Sequence, residues 1–214
     1  MNTIYSNITN LYHCKKFVFF VLNTIHFITM RTETAYRYCE MNGRNEEMEQ
    51  IILSVPRFCL LYAQHIIKGR WPEAEPVIMR NGKYAYYYAR DIIKGRWREA
   101  ENNIMKSPEY AYLYALHLIR GRWPEAEPYI GKDLQSSYSY ALLINKRFKE
   151  GEKVIIKDAK TAYYYTLMII KQRWFEAEEC IMKNKILSVK YKTQFFNKWE
   201  MSSMRTDLEN MLAF

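Results

Sequence analysis

Apolar and polar positions along the chain return with one long period. Ala111, Tyr114, Ala115 and Leu118 stand at i, i+3, i+4 and i+7, the spacing of one helix face. The same stripe recurs at Ala85, Tyr88, Ala89 and Ile92, and at Ala162, Tyr165, Thr166 and Ile169. After each comes a shorter stripe, such as Trp123, Ala126 and Ile130 at i, i+3 and i+7. The pattern predicts two helices per unit, a first of about three turns and a shorter second. Small residues in the middle of the first stripe would let a neighbouring helix approach, with large tyrosine rings sealing the sides.

Boundary residues agree with this division. Ser107 is a good N-cap, Pro108 suits the first helical position, and Glu109 lies where the helix dipole favours an anion. Asn81, Asp133 and Asp158 hold the Ser107 or Glu109 region in other units, and Gly121 reads as the C-terminal cap. Pro124 then opens the second helix. Pro76 and Pro128 lack the N–H that a longer helix needs, so the second helix should have about two turns, partly 3₁₀.

The junction between the two helices marks the repeat. Gly69-Arg70-Trp71-Pro72-Glu73-Ala74-Glu75-Pro76 returns unchanged from Gly121 to Pro128, and nearly so from Gly95 to Glu101. Further copies start at Gly43, Arg147 and Arg173. The arginines fall at 44, 70, 96, 122, 147 and 173, so one interval is 25 and the rest are 26. A unit of this size cannot bury its own apolar face, and stacking completes the core. The expected fold is all-α: an α-solenoid of about six 26-residue helix-turn-helix repeats with capping helices at both ends. Residues 1–30 form an N-terminal extension with an apolar capping helix, 31–183 the repeat array, and 184–214 C-terminal capping helices, one of them about Arg205 to Ala213. The short interval is placed in the turn Asn145-Lys146-Arg147, with a local change of curvature; Phe148 and Gly151 there replace Trp and Ala.

The stretch Gly-Arg-Trp-x-Glu-Ala-Glu resembles the turn and second-helix start of tetratricopeptide repeats, although the period here is shorter and the first helix differs. The whole unit is more similar to a short repeat of uncharacterised large-phage and other viral proteins, over residues 31–183. That resemblance implies an α-solenoid of viral or phage-like source; the expected location is the cytoplasm, the host's if the source is viral. It implies no activity.

Composition adds a few bounds. The net charge of +9 admits acidic partners, although solvated surface charge is the commoner reason. Cys14, Cys39, Cys59 and Cys180 lie far apart, which argues against a zinc site or a disulfide framework and suits a reducing compartment. Cys59 stands where later units carry Ala85 and Ala111, as a small core residue. Residues 17–30 are apolar but shorter than the roughly 20 residues that span a bilayer, and Asn23 and His26 interrupt them. A cap is the first reading, a membrane anchor the second and a start of translation at Met30 the third.

The most regular polar feature is Arg-x-x-Glu-x-Glu: Arg44/Glu47/Glu49, Arg70/Glu73/Glu75, Arg96/Glu99/Glu101, Arg122/Glu125/Glu127, Arg147/Glu150/Glu152 and Arg173/Glu176/Glu178. Catalysis needs one special constellation, so six equal copies read as an Arg–Glu ladder joining successive units. His65 and His117 share one outer slot with Asp91, and no phosphate loop, nucleophile elbow or metal-spaced cluster occurs. The expectation is a protein that is not an enzyme, with no cofactor and no metal. Outer first-helix positions turn apolar toward the C-terminus, from Gln64-His65 and Arg90-Asp91 to Leu116-His117, Leu142-Leu143 and Leu167-Met168. With Tyr87 and Tyr164 these make a candidate partner surface, for which the segment Leu187 to Phe214, folding back, is the first expected cover and a partner protein the second. The leading function is a scaffold for protein–protein interaction. The alternative is a basic, tyrosine-lined array holding single-stranded nucleic acid through Lys68, Lys94, Arg120 and Lys171 and the cations that end second helices. Membrane contact would run through residues 17–30 alone.

Overall fold

The computed structural model describes residues 27–196, which are helical and contain no strand. The readings placed on residues 1–26 and 197–214 lie outside the described residues. The chain divides into two compact units between Asn103 and Ile104.

In the N-terminal unit α1 covers residues 27–42 and α2 Glu46–Ile52. α3 (Pro56–Tyr62) and α5 (Gly82–Tyr88) are first helices; α4 (Glu75–Ile78) and α6 (Arg98–Ile104) are second ones. The C-terminal unit repeats the scheme with first helices α7 (Pro108–Tyr114), α9 (Leu134–Ile144) and α11 (Ala159–Tyr165). Its second helices are α8 (Glu127–Ile130), α10 (Lys149–Ile155) and α12 (Phe175–Met182), and α13 (Lys185–Phe195) follows. Within each unit consecutive first helices pack together, α3 on α5 and α7 on α9. The prolines act as expected. With Pro72 and Pro76, or Pro124 and Pro128, the second helix shrinks to one α turn, and Pro124–Ala126 is 3₁₀. Without the second proline it runs seven or eight residues.

The core repeats as the stripes require. Cys59, Ala85, Ala111, Ser137 and Ala162 are fully buried, as are Tyr62, Tyr88, Tyr114, Tyr140, Tyr165 and Tyr191. Burial holds the Cys59 thiol up at about 12, and its Sγ–H donates to the Ile52 carbonyl. Gly151 takes the place of alanine because Phe148 and Ser137 already fill that space; a Cβ there would lie 2.5 Å from the Phe148 ring.

Four first helices end differently from expectation. α3, α5, α7 and α11 widen into π turns at Ala63–Ile67, Ala89–Ile93, Ala115–Ile119 and Thr166–Ile170. The next residue is left-handed in each: Lys68, Lys94, Arg120 and Lys171, at φ between 58° and 59°. The predicted cap Gly121 is therefore not the left-handed residue, and neither is Gly69 or Gly95. α9 has no π turn and runs as an α-helix to Asn145, at φ 48°. The 25-residue interval follows from this. A π turn holds one more residue than an α turn, so the missing residue lies between Tyr140 and Asn145, inside the helix, and not in the turn after it. The extra residue also rotates the end of the stripe, which leaves Leu118, Ile92 and Ile169 half-buried.

α13 was expected to belong to a larger capping segment outside the repeat register. Instead it is capped by Asn184, whose side chain accepts from the Ile186 and Leu187 N–H groups, and it buries Tyr191 like every first helix.

Candidate interaction surface

The recurrent polar residues form one joint per repeat. In Arg70-Trp71-x-x-x-Glu75, the Arg70 guanidinium donates from Nε at 2.8 Å and from Nη2 at 2.9 Å to the two Glu75 oxygens. Tyr88, from the next first helix, donates its hydroxyl to Glu75 at 3.0 Å and accepts the Trp71 backbone N–H at 2.7 Å. Its ring packs on Trp97, with centroids 5.1 Å apart. In the C-terminal unit the same joint links Tyr140 to Glu127 and Trp123, Tyr165 to Glu152 and Phe148, and Tyr191 to Glu178 and Trp174. Earlier in the N-terminal unit Tyr62 donates to Glu49 at 2.6 Å, and Arg44 closes the other side. Arg96 clasps Glu101 in the same bidentate way.

The geometry differs from Arg–Glu rungs running between units. Each direct pair lies within its repeat and uses the second glutamate, five residues after the arginine. The first glutamates, Glu47, Glu73, Glu99, Glu125, Glu150 and Glu176, are exposed because they stand on the solvent side of the second helix's first turn. Glu150 and Glu176 lie close enough to Arg122 and Arg147 of the preceding repeats to help raise their pKa values, behind the larger contributions of Glu127 and Glu152. Tyrosine makes the direct reach between repeats. Arg70, with Tyr88 helping, holds the Glu75 carboxyl below its usual range against the opposing effect of burial. Burial pushes the Tyr88 hydroxyl up to about 12. A carboxylate gripped by a guanidinium and a phenol is held in place, an arrangement suited to position and not to proton transfer.

The predicted outer surface divides between the two units. In the N-terminal unit its positions hold a polar network. Gln64 donates to Asp91 at 3.0 Å, and Arg90 makes two hydrogen bonds to the same carboxylate. The Arg90 guanidinium sits 4.8 Å from the centre of the half-buried Tyr87 ring, and the His65 ring nitrogen shares a 2.8 Å hydrogen bond with Tyr36. In the C-terminal unit the same positions are apolar apart from His117. Leu142 is 40% exposed on α9, Tyr164 40% on α11, and Met168 50% on the π turn that follows. Leu116, Leu143 and Leu167 lie half-buried beside them, and His117 is exposed. Tyr87 is thus the one member of the predicted set outside this unit. The segment expected to cover the strip does not do so as far as it is described: Leu187 to Phe196 forms the next first helix and packs on α11 and α12.

An open groove of about 590 Å³ lies between the starts of α7 and α9, lined by Glu109, Tyr112, Asp133 and Ser139 among others. Its Asp133 is committed to capping, accepting from both the N–H and the hydroxyl of Ser136. The predicted basic positions Lys68, Lys94, Arg120 and Lys171 are all exposed, as are Arg80, Lys106, Lys132, Lys157 and Lys183. Exposed first glutamates Glu73, Glu99, Glu125 and Glu176 follow Lys68, Lys94, Arg120 and Lys171 within five residues.

The joint tyrosines were absent from the sequence-based candidates. The signal was present: a tyrosine stands 13 residues after the second glutamate in each joint. Compared with protein-family models, with curated proteins and with solved structures, the chain matches none.

Proposed function

We infer that this protein is a non-enzymatic helical-repeat scaffold that binds another protein through the outer strip of its C-terminal unit. One observation carries the reading. Leu142 and Met168 expose apolar surface at the positions where the N-terminal unit has its Gln64–Asp91–Arg90 network. Within each unit the joints fix the register of neighbouring repeats through buried polar contacts, so outer side chains are free to differ without disturbing that packing. A methionine and leucines in contact with solvent suit a partner's apolar side chains, since Met repacks readily.

The test is affinity purification of the full chain beside a Leu142→Glu/Met168→Glu variant. Both positions face solvent, so the variant keeps its helical circular dichroism. A partner retained in stoichiometric amount by the parent chain and lost from the variant supports the reading. Identical protein sets from both chains count against it.

The exposed cations at Lys68, Lys94, Arg120 and Lys171 favour a second reading, single-stranded nucleic acid. Each is a non-glycine residue in left-handed backbone, a conformation that costs about 1–2 kcal/mol. Fluorescence anisotropy with labelled single-stranded RNA across a salt series separates the readings. Binding that weakens steeply with salt belongs to the second reading, and none belongs to the first.

A further inference from the structure

The helix α1 turns one side to its own unit and carries an apolar row on the other. Thr32, Ala35, Tyr36 and Cys39 point inward, each at most 8% exposed. They seat α1 against α3 and the turn before it. The Thr32 and Ser54 hydroxyls lie 3.2 Å apart, and the Tyr36 and Phe58 ring centres 5.9 Å. On the far side Phe27 is 68% exposed, Met30 54%, Tyr38 44% and Met41 78%. Ordinary surfaces scatter such residues singly, and the repeat joints do not involve these four.

The row is symmetric about Thr34. Met30 and Tyr38 stand four residues to either side of it, and Phe27 and Met41 seven. An antiparallel copy of the helix crossing at Thr34 therefore sets Phe27 against Met41 and Met30 against Tyr38, each pairing made twice. That is the form of an isologous two-fold contact. Thr34 is the small residue at the crossing, and its hydroxyl is already donated to the Met30 carbonyl at 2.9 Å, so it brings no unmet donor to the seam.

Charge does not oppose the pairing. By helical rotation Arg31 and Arg37 lie on opposite flanks of the row. Arg31 then comes beside Tyr38 of the second copy, and Arg37 beside its Met30. Glu33 is paired with Arg37 of its own helix at 2.7 Å, and Glu40 accepts from its own Tyr36. Margins of both signs do not suit an anionic bilayer, which favours cations alone. With roughly 100 Å² from each large side chain and the flanks besides, two copies cover on the order of 1,000 Å². That stands at the low end for specific contacts and fits a dimer that separates at micromolar concentration.

We propose that α1 is a dimerisation helix, pairing antiparallel with α1 of a second copy of this chain about a two-fold axis at Thr34.

The test is analytical ultracentrifugation of the full chain over a concentration series, beside Met30→Glu/Met41→Glu. The expected result is a monomer–dimer equilibrium. Its dissociation constant should rise at least about tenfold in the variant, which would bury carboxylates at the seam, while circular dichroism stays unchanged. In Thr34→Cys a short bismaleimide should join two copies well beyond the parent chain, whereas Lys83→Cys, exposed on α5, should match the parent. A parent chain that is monomeric at every concentration overturns the proposal. So does a dimer that the double variant leaves as strong, or one in which Thr34→Cys joins no more than the parent. A monomer that co-floats with lipid vesicles gives the row to a bilayer instead and overturns it as well.

Discussion

Tyr88 touches two repeats at once: its ring lies on Trp97 of its own repeat, and its hydroxyl donates to Glu75 of the one before at 3.0 Å. The same oxygen accepts the buried Trp71 N–H. One hydroxyl thus satisfies a buried donor and a clasped carboxylate while an aromatic contact fixes the ring's depth. A surface ion pair alone would contribute little. The stacking register rests on the tyrosine.

Tyr88→Phe keeps the ring and removes the hydroxyl, leaving the Trp71 N–H without its partner. The expected loss is about 1–3 kcal/mol in urea unfolding. Tyr164→Phe, on an exposed ring, should stay within about 0.5 kcal/mol. In a double-mutant cycle with Glu75→Gln, Tyr88→Phe should be non-additive by about 1 kcal/mol.

The joints also set a pH profile. Glu75 has a folded-state pKa below its unfolded value, so its contribution is present above the unfolded carboxylate range and is lost as pH falls through the folded pKa. Tyr88 has the opposite displacement. Its contribution is complete below the unfolded value of 10.0 and is lost as pH rises toward about 12. Thermal unfolding followed across pH should show a plateau between these limits, with Tm falling on both sides. Tyr88→Phe should flatten the alkaline decline.

Lys94 holds φ 58° while the adjacent Gly95 does not use its freedom and has open space where a Cβ would stand. Lys94→Gly should therefore stabilise by about 1 kcal/mol, the relief of left-handed strain less the cost of a more flexible unfolded chain. Gly95→Ala should be neutral or slightly stabilising. Chemical denaturation of the two single variants measures both.

The π turn of α7 contains one residue that α9 does without. Deleting His117, exposed within Ala115–Ile119, should convert that turn to the α form of α9 and leave cooperative unfolding intact. Deleting Leu143 from α9, which has no residue to spare, should abolish cooperative unfolding of the C-terminal unit. Circular dichroism melts distinguish the two deletions.

Much of the helix pattern was legible because it depends on nearest neighbours. The prolines at 76 and 128 shortened second helices as their missing N–H groups demand, and Asn81, Asp133 and Asp158 cap through their side chains. What depends on contacts between repeats was harder to read. Choosing Glu75 over Glu73 as the partner of Arg70 needs the curl of the chain before α4. Assigning Tyr88 to Glu75 needs a contact across 13 residues, although its recurrence offered the clue. The π turns left a trace in the single 25-residue interval, but a missing residue reads more naturally as a shortened loop than as a tightened helix. Of the candidate surface, the apolar drift from Gln64-His65 to Leu167-Met168 was visible, whereas the Gln64–Asp91–Arg90 network that gives the contrast meaning was not.

The most direct test of the scaffold reading places a photo-crosslinking benzophenone side chain at Met168 and, separately, at the exposed Lys83 of the N-terminal unit, in the full chain expressed in its native host. The account predicts one discrete protein adduct from position 168 and none of that size from position 83. No adduct at 168, or the same adducts from both positions, would contradict it.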